Sequence, residues 1–561
     1  MSLRNAQPQV SVRVFPSEGE GAPYVLSSSQ GVLLRASIRK SIRGSEPGTF
    51  QLVLAPGGAR GVASTHTWTE IFTPMSIVVI SGARGPFRAG IMVGVVSSVR
   101  ERQQWSRNTV TRVITVTGYD FQYFFTHRSY YTLTFLGSSA ASALHADFGS
   151  FALPSLLNKG MMGGTPAQVG ATWFNEAMAG KEGILADTKF LYDYGRNPTF
   201  TDLMTQTYDN YPSANVIIPM MENFLTVEGA WYDKFTRIFA FPFYEFFVIT
   251  APVGLYDVNN TSYTTAKTLF NSPESVLSNG SPLSFGPVLV ARVNPLPQTV
   301  YTNGVWSMDT TRWKNLPSYT LGTDGESYGF LDSDIQFTDR DVRNFYLLNP
   351  ITLSSITVSS AGNVSPYVYT LQCMADIASI RRYGYRPEIT DTYWLADPTG
   401  ATAAGNNANQ NAFADLVNLL NNRISSYYEP TPLMGMGAMR SIFRPDIIPG
   451  NRFVYAPFKN GELWEFYIEG VEHEYEFGEE STTTLALTRG LPKTLYDQTT
   501  PGLLTALHTG TAERTMGEYK VRTSMSSQSI VTSPGLTVIN PGDSHSVLGE
   551  IAQIFVTPQK G

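Results

Sequence analysis

The strongest constraint on this chain is a period of two. Val10, Val12 and Val14 alternate with Ser11 and Arg13, and Phe50, Leu52 and Leu54 share one side of the segment 49–54. Successive side chains of a strand point to opposite faces, so such runs read as half-buried β-strands. The pattern returns far along the chain. Trp464, Phe466 and Ile468 alternate with Glu465, Tyr467 and Glu469, and Val471, His473, Tyr475 and Phe477 alternate with Glu472, Glu474 and Glu476. Leu485 and Leu487 share one side of 482–488. Short continuous apolar runs at 76–80, 91–96 and 110–117 read as fully buried strands. Ile335 and Phe337 alternate with polar neighbours, as do Ile351 and Leu353, then Ile356 and Val358, with a slip at Ser354-Ser355 that suits a β-bulge. Gly and Pro punctuate these runs, with a loop at Pro56, Gly57, Gly58 and Gly61. Many short strands of this kind predict closed barrels or sandwiches.

Helical spacing interrupts the strands in three places. Val169, Trp173, Phe174, Ala177 and Met178 predict a helix over 166–178 that stops at Gly180. Thr199 is placed to N-cap a helix carrying Phe200, Leu203, Met204 and Thr207. The best amphipathic face is Phe413, Leu416, Val417, Leu420, Ile424 and Tyr427, ended by Pro430 and Pro432. It follows a low-complexity loop at 397–411. The aromatics Phe239, Phe241, Phe243, Tyr244, Phe246 and Phe247 are dense enough to be core rather than a ligand site. The tail 517–561 is rich in Ser, Thr, Pro and Gly, and no repeat of fixed 20–50-residue period occurs.

Composition narrows the function classes. At 561 residues the chain has room for roughly three to five domains. Charged residues make up 15%, against about 25% in an average soluble domain, and aromatics 12%. A charge-poor, aromatic surface is what interface cores look like; the other reading leaves solubility to Ser, Thr and Asn. A net charge of −6 argues against a general nucleic-acid binder. The single cysteine, Cys373, excludes an intramolecular disulfide framework and a multi-thiolate zinc site, and reads as a small buried apolar residue. The first ten residues hold Arg4, Asn5, Gln7 and Pro8 and no apolar core of a signal peptide. The longest uncharged run, 344–375, apart from its lack of charge, is broken by Pro350, Asn363 and Pro366 and does not read as a membrane span. The expectation is a soluble protein made in the cytoplasm.

No stretch of the sequence commits the chain to catalysis. No P-loop occurs, and Gly57-Gly58-Ala59-Arg60-Gly61 sits in a Pro-containing turn rather than between a strand and a helix. No two of the six histidines lie within five residues. Asn260-Thr261-Ser262 and Asn363-Val364-Ser365 match the glycosylation acceptor pattern, which has no use without a secretory route. The densest acidic cluster is Glu472-His473-Glu474-Tyr475-Glu476, followed by Glu479 and Glu480. Acid/base catalysis and cation binding both fail on geometry. In a strand the three glutamates form a row about 7 Å apart on the side opposite His473, and a glycosidase pair needs carboxyls that face each other across a sugar. A solvated or partner-facing row is the reading that remains. His473 either hydrogen-bonds across strands or sits half-buried.

Several segments, taken in order, carry a family resemblance. They are Phe50-Gln51-Leu52-Val53-Leu54, Trp68, the strand 77–80, Gly94-Val95-Val96 and Gly118-Tyr119-Asp120; then Phe243-Tyr244-Glu245-Phe246-Phe247 and Leu289-Val290-Ala291-Arg292-Val293-Asn294-Pro295. Next come 332–344 with Asn349, and Ser379-Ile380-Arg381-Arg382-Tyr383-Gly384-Tyr385-Arg386. Last are Arg444-Pro445-Asp446-Ile447-Ile448-Pro449-Gly450, Gly470-Val471-Glu472-His473 and 482–490. Spread over about 50–490, these segments resemble the central baseplate hub proteins of contractile-tailed bacteriophages and related injection machines. The first fifty and last seventy or so residues match no part of that pattern.

The resemblance implies a mainly β fold with α+β insertions. Two similar antiparallel tube-like β-barrels would flank a mixed α/β middle domain, with a small helical insertion. The boundaries expected are 1–135 for the first barrel with its N-terminal extension and 136–330 for the middle domain. The second, discontinuous barrel would take 331–375 and 436–495, interrupted by the helical insertion at 376–435, and 496–561 would be a C-terminal extension. It also implies a homotrimer whose six barrels adapt the six-fold tail tube to a three-fold central spike, in the virion tail baseplate. Partners would be the tail tube protein, the spike protein, the tape-measure protein and other baseplate proteins, with DNA only in transit and no stable membrane insertion. No catalytic residue, cofactor or metal is implied. Glu472, Glu474 and Glu476 would then face the lumen, where acidity repels phosphate, or a partner. The alternatives are a tail-associated cell-wall or polysaccharide hydrolase and a receptor-binding tail module.

Overall fold

The computed structural model describes residues 6–15, 24–63, 66–85, 87–106, 109–127, 129–130, 166, 170, 205–208, 220–221, 229–252, 285–296, 298–302, 305–309, 311–320, 329–350, 371–392, 394–395, 420, 423–425, 427–428, 431–458, 461–497 and 520–523. Its centre is one thirteen-stranded sheet. The strands are β1 (Gln9–Phe15), β2 (Tyr24–Ser27), β3 (Leu33–Ser41), β4 (Thr49–Leu54), β5 (Ile77–Arg84), β6 (Phe87–Ser106) and β7 (Thr109–Asp120). From the later chain come β8 (Ser318–Thr320), β9 (Phe330–Gln336), β10 (Gly435–Ile442), β11 (Arg452–Tyr455), β12 (Trp464–Glu476) and β13 (Thr482–Pro492). The spatial order is β9-β10-β13-β12-β3-β4-β7-β6-β5-β1-β2, and β11 pairs with β12 and β8 beside this path. All pairs are antiparallel except β8 with β11.

The period of two is what builds it. β1 buries Val10, Val12 and Val14, and β4 buries Phe50, Leu52 and Leu54. These side chains join Trp68, Ile80, Met92 and Val116 in the core of the first half. Phe453, Phe466, Ile468, Leu485 and Leu487 form the core of the second half. Both halves place a phenylalanine against a glycine of the neighbouring strand. Phe50 is paired with Gly118, and Phe466 lies over Gly490; a Cβ on either glycine would fall within 2.3 Å of the ring. An aromatic laid across a bare glycine fills the gap that the missing side chain leaves.

The sequence does not reveal that the two halves share a sheet. β12 pairs antiparallel with β3 from Gly470↔Ser41 to Glu476↔Arg35, so the early and late strand sets run into each other. Phe443 and Tyr475, from the late set, are buried in the core of the first half.

Several expectations change. Residues 345–350 and 371–375, assigned to the second barrel, lie in a separate four-stranded sheet with 387–392 and 520–523. The insertion 376–435 is therefore not helical throughout: the helix Ile377–Tyr383 is followed by the strand Pro387–Thr392. Thr207, expected in a helix, belongs to the strand Thr205–Tyr208, which pairs in parallel with residues 288–291. The backbone of Val288–Ala291 offers this β-branched segment a ladder, and tertiary pairing overrides a weak helical period. Pro56–Gly61 is a turn leading into the one-turn helix Ala59–Val62 rather than an open loop. Leu420, Ile424 and Tyr427 are helical and buried, as their spacing predicts. Most of 166–178 and the segments 351–358, 397–411 and 413–417 fall outside the described residues, as do 199–204 and most of 517–561. Cys373 lies on the strand Leu371–Ala375.

Candidate functional site

The predicted row Glu472, Glu474 and Glu476 lies on β12 at the seam. Glu472 and Glu474 are half-buried and Glu476 is exposed, while Val471, His473 and Tyr475 between them are buried. The row thus occupies the face away from the core. Phe477, expected on the buried side, is 54% exposed, because β12 ends at Glu476 and Phe477 opens the turn to β13. The neighbouring strand changes the charge of the face. Glu472 is directly opposite Arg39 and Glu476 opposite Arg35, and Arg35 reaches Glu474 at 3.3 Å. One ion pair, Arg35–Glu474, crosses the seam, and Arg39 stands opposite Glu472, so arginines of the adjacent strand flank the glutamate row. Cross-strand pairs of opposite charge each contribute a few tenths to about 1 kcal/mol.

His473 sits behind this row. Its Nδ1 lies 3.0 Å from the Thr483 hydroxyl, its register partner on β13, and its ring packs edge-on against Phe443. The cross-strand reading holds, together with full burial. Burial pushes its pKa down to about 4, only partly offset by Asp446. An imidazole buried on the face opposite the carboxylates and held neutral does not pair with them as a cation.

The sequence reading missed what covers the other end of β12. Alternation suggests a wet face for Glu465 and Tyr467, yet both are buried. Glu465 receives a hydrogen bond from Trp313 Nε1 at 2.8 Å and pairs with Arg452 at 3.2 Å. Tyr467 donates to Glu245 Oε1 at 2.7 Å and accepts from Arg292, whose guanidinium also binds Glu245 and the Gly450 carbonyl. Burial pushes the Tyr467 phenol well above its ordinary range. These two buried networks fasten the middle segment, through Trp313 and the pair Arg292–Glu245, to the second half of the sheet. The available signal was an arginine inside an apolar strand: Arg292 between Ala291 and Val293. A buried arginine needs a hydrogen-bonded acidic partner.

Similar clasps hold the first half. Lys40 on β3 pairs with Asp120 at the end of β7 and donates to Gln122 at 3.0 Å. Arg444 makes a two-pronged contact with Asp446, at 2.8 Å for each bond, and lies 3.7 Å from the centre of the Phe87 ring. It thereby holds the β5–β6 hairpin against the late strands. Of the central aromatics, Phe239, Phe243, Tyr244, Phe246 and Phe247 are buried as expected, whereas Phe241 is 43% exposed. It lies beside a cavity of about 160 Å³ that is also lined by Arg43, Arg343, Tyr427 and Arg489. The arginines there are engaged. Arg43 holds Glu469 and Tyr427, Arg343 holds Glu388, and Arg489 holds the Tyr427 carbonyl while lying over its ring. Among the described residues no group of three His, Cys, Asp or Glu side chains is placed to hold a metal. No described helix is long and apolar enough to cross a membrane.

No family model matches the chain, and no curated protein matches it. Among solved structures, it is similar to a tail protein from Neisseria meningitidis MC58, at 10% identity and a TM-score of 0.40, over 85% of this chain and 96% of that one. It is also similar to the 43 kDa tail protein of prophage MuSo2 from Shewanella oneidensis, at 10% identity and a TM-score of 0.39, over 86% and 98%. A third is an E. coli component of the type VI secretion system, at 9% identity and a TM-score of 0.35, over 82% and 73%.

Proposed function

We propose that this chain is a structural subunit of a tail baseplate, of the kind found in phages and related injection machines, and that it acts there as the central hub. The observation that carries the reading is the seam. Two strand sets, each with its own core and its own phenylalanine-over-glycine device, are joined by β12 and β3 into one sheet. A subunit that presents two similar units in a fixed relation supplies six from three copies, and so converts three-fold into six-fold symmetry. The ordered motifs over about 50–490 support the same reading. Buried arginine networks hold the described interior together, which suits a part that holds position. In this role the chain is a homotrimeric ring in the virion tail. It contacts the tube above, the spike below and other baseplate proteins around it, and lets tape-measure protein and DNA pass.

The test is mass in solution together with negative-stain imaging. A trimeric ring with a central channel is expected. A monomer that clears a cell-wall suspension would overturn the reading in favour of a hydrolase.

A further inference from the structure

The β6–β7 hairpin extends beyond the rest of the sheet. The last residue of β4, Leu54, pairs with Ile114, and β5 covers β6 only as far as Val95. From Arg102↔Val113 to Ser106↔Thr109 the two strands pair with each other alone among the described residues. Five such residue pairs make a two-stranded arm about 17 Å long. Arg102, Gln103 and Arg112 on it are exposed, as are Arg100 and Glu101 at its base, beside the end of β4. Residues 97–113 hold four arginines and one glutamate, in a chain whose net charge is −6. A bare two-stranded ribbon is only marginally stable in water, so an arm of this kind gains its order from what it docks on.

The complementary surface lies on the same molecule. The turn from β12 to β13 carries Glu476, Phe477, Glu479 and Glu480, all exposed, and no lysine or arginine occurs between 472 and 488. Arg35 is opposite Glu476, and Arg84 lies within electrostatic reach of Glu480, so Glu479 is the least compensated of the three. Turn and arm leave the sheet past one register row, Glu476–Arg35–Val53–Thr115–Arg100. From β12 to β7 is three strand spacings, about 14 Å. Sheet twist of roughly 20–25° per strand makes the two projections diverge by about 60–75°. An arm diverging at that angle leads away from the turn of its own copy, which leaves the opposite charges for a neighbour.

We propose that the β6–β7 arm of one copy docks on the β12–β13 turn of a second copy of this chain, with Arg100 and Arg102 facing Glu476, Glu479 and Glu480 around the exposed Phe477. This deepens the proposed function, since it rests on a multi-copy assembly and names the surface that joins the copies. The contact is heterologous: two different patches meet, which is the kind of contact that builds a ring when its rotation closes.

Charge reversal tests it on the full chain. Arg100→Glu with Arg102→Glu, and separately Glu479→Arg with Glu480→Arg, should each weaken self-association by roughly 10–100-fold in sedimentation equilibrium, from like charges brought together. All four substitutions in one chain should restore the wild-type assembly to within about threefold. All the altered side chains are exposed, so unchanged circular dichroism and melting temperature certify the fold. Assembly that survives both reversals refutes this contact while leaving the ring intact. A four-fold variant no better than either parent also refutes it. A wild type that stays monomeric at all concentrations removes the hub reading itself. If arm reversal leaves the mass unchanged and instead abolishes binding to a short DNA duplex, the arm serves nucleic acid and the proposal fails.

Discussion

Replacing His473 by glutamine isolates one buried titration. The imidazole is 4% exposed and bonded to Thr483, and burial holds its pKa at about 4 against 6.5 in the open chain. Between these values the unfolded chain binds a proton that the folded protein refuses. Stability from this group is therefore complete above pH 6.5 and is lost as pH falls towards 4. At about 1.4 kcal/mol per pH unit the full loss is about 3 kcal/mol, with about 2.5 kcal/mol gone by pH 4.5. Glutamine keeps a hydrogen bond to Thr483 within reach and does not titrate. The assay is urea unfolding of wild type and His473→Gln at pH 7.5 and pH 4.5. Carboxylate effects are common to both proteins and cancel in the difference, as does any fixed cost of the substitution. The wild type should lose about 2.5 kcal/mol more than the variant on acidification. Equal losses would refute the burial argument and reopen an exchangeable proton beside the glutamates.

Three further outcomes are expected. Gly118→Ala would put a Cβ 2.2 Å from the Val95 carbonyl oxygen and 2.3 Å from Phe50 Cζ; it should cost about 2–3 kcal/mol, whereas Gly57→Ala, with nothing within 4 Å, should leave the urea midpoint nearly unchanged. Arg292→Ala strands Glu245 in the interior and should cost about 3–5 kcal/mol, while Arg35→Ala at the half-exposed seam ion pair should cost less than about 1 kcal/mol; matched thermal melts compare them, and similar shifts would contradict the burial difference. Trp313→Phe keeps an aromatic ring but removes the indole N–H that bonds Glu465, along with part of the buried ring; the loss should be at least about 1–3 kcal/mol in the same melts, and no loss would mean this contact does not hold the middle segment.

Alternation was legible in some strands with one wet face but not in all: the run 110–117, read as fully buried, alternates instead, with Ile114 and Val116 buried and Arg112 exposed. In β1 and β4 alternation assigned each buried residue correctly, because one side of each is covered and the other is not. It failed at Glu465 and Tyr467, where a second layer covers the far side and the polar atoms are buried in pairs. No period in β12 announces that cover, since it comes from Trp313, some 150 residues earlier. Phe477 was misplaced for a different reason: the pattern continues through it although the backbone turns at Gly478, whose φ is +82°. At the candidate site the glutamate row was visible, but Arg35 and Arg39 beside it were not, because pairing between distant strands leaves no mark on either strand's own alternation. The seam was out of reach for the same reason.

The seam also sets an order of events at the ribosome. Arg35 and Glu474, which bridge it, are 439 residues apart. At about 5–20 residues per second, synthesis separates the two by roughly 20–90 s. During that interval β3 can pair with β4 but has no partner on its other side, so the nascent first half carries a bare strand edge. Such edges recruit stray chains, and charged side chains on them are the usual deterrent. Arg35, Arg39 and Lys40 supply that charge within nine residues of β3. Of these, Arg35 and Arg39, which later stand beside Glu472, Glu474 and Glu476, are placed to deter sister chains from zipping onto β3 before β12 has been made.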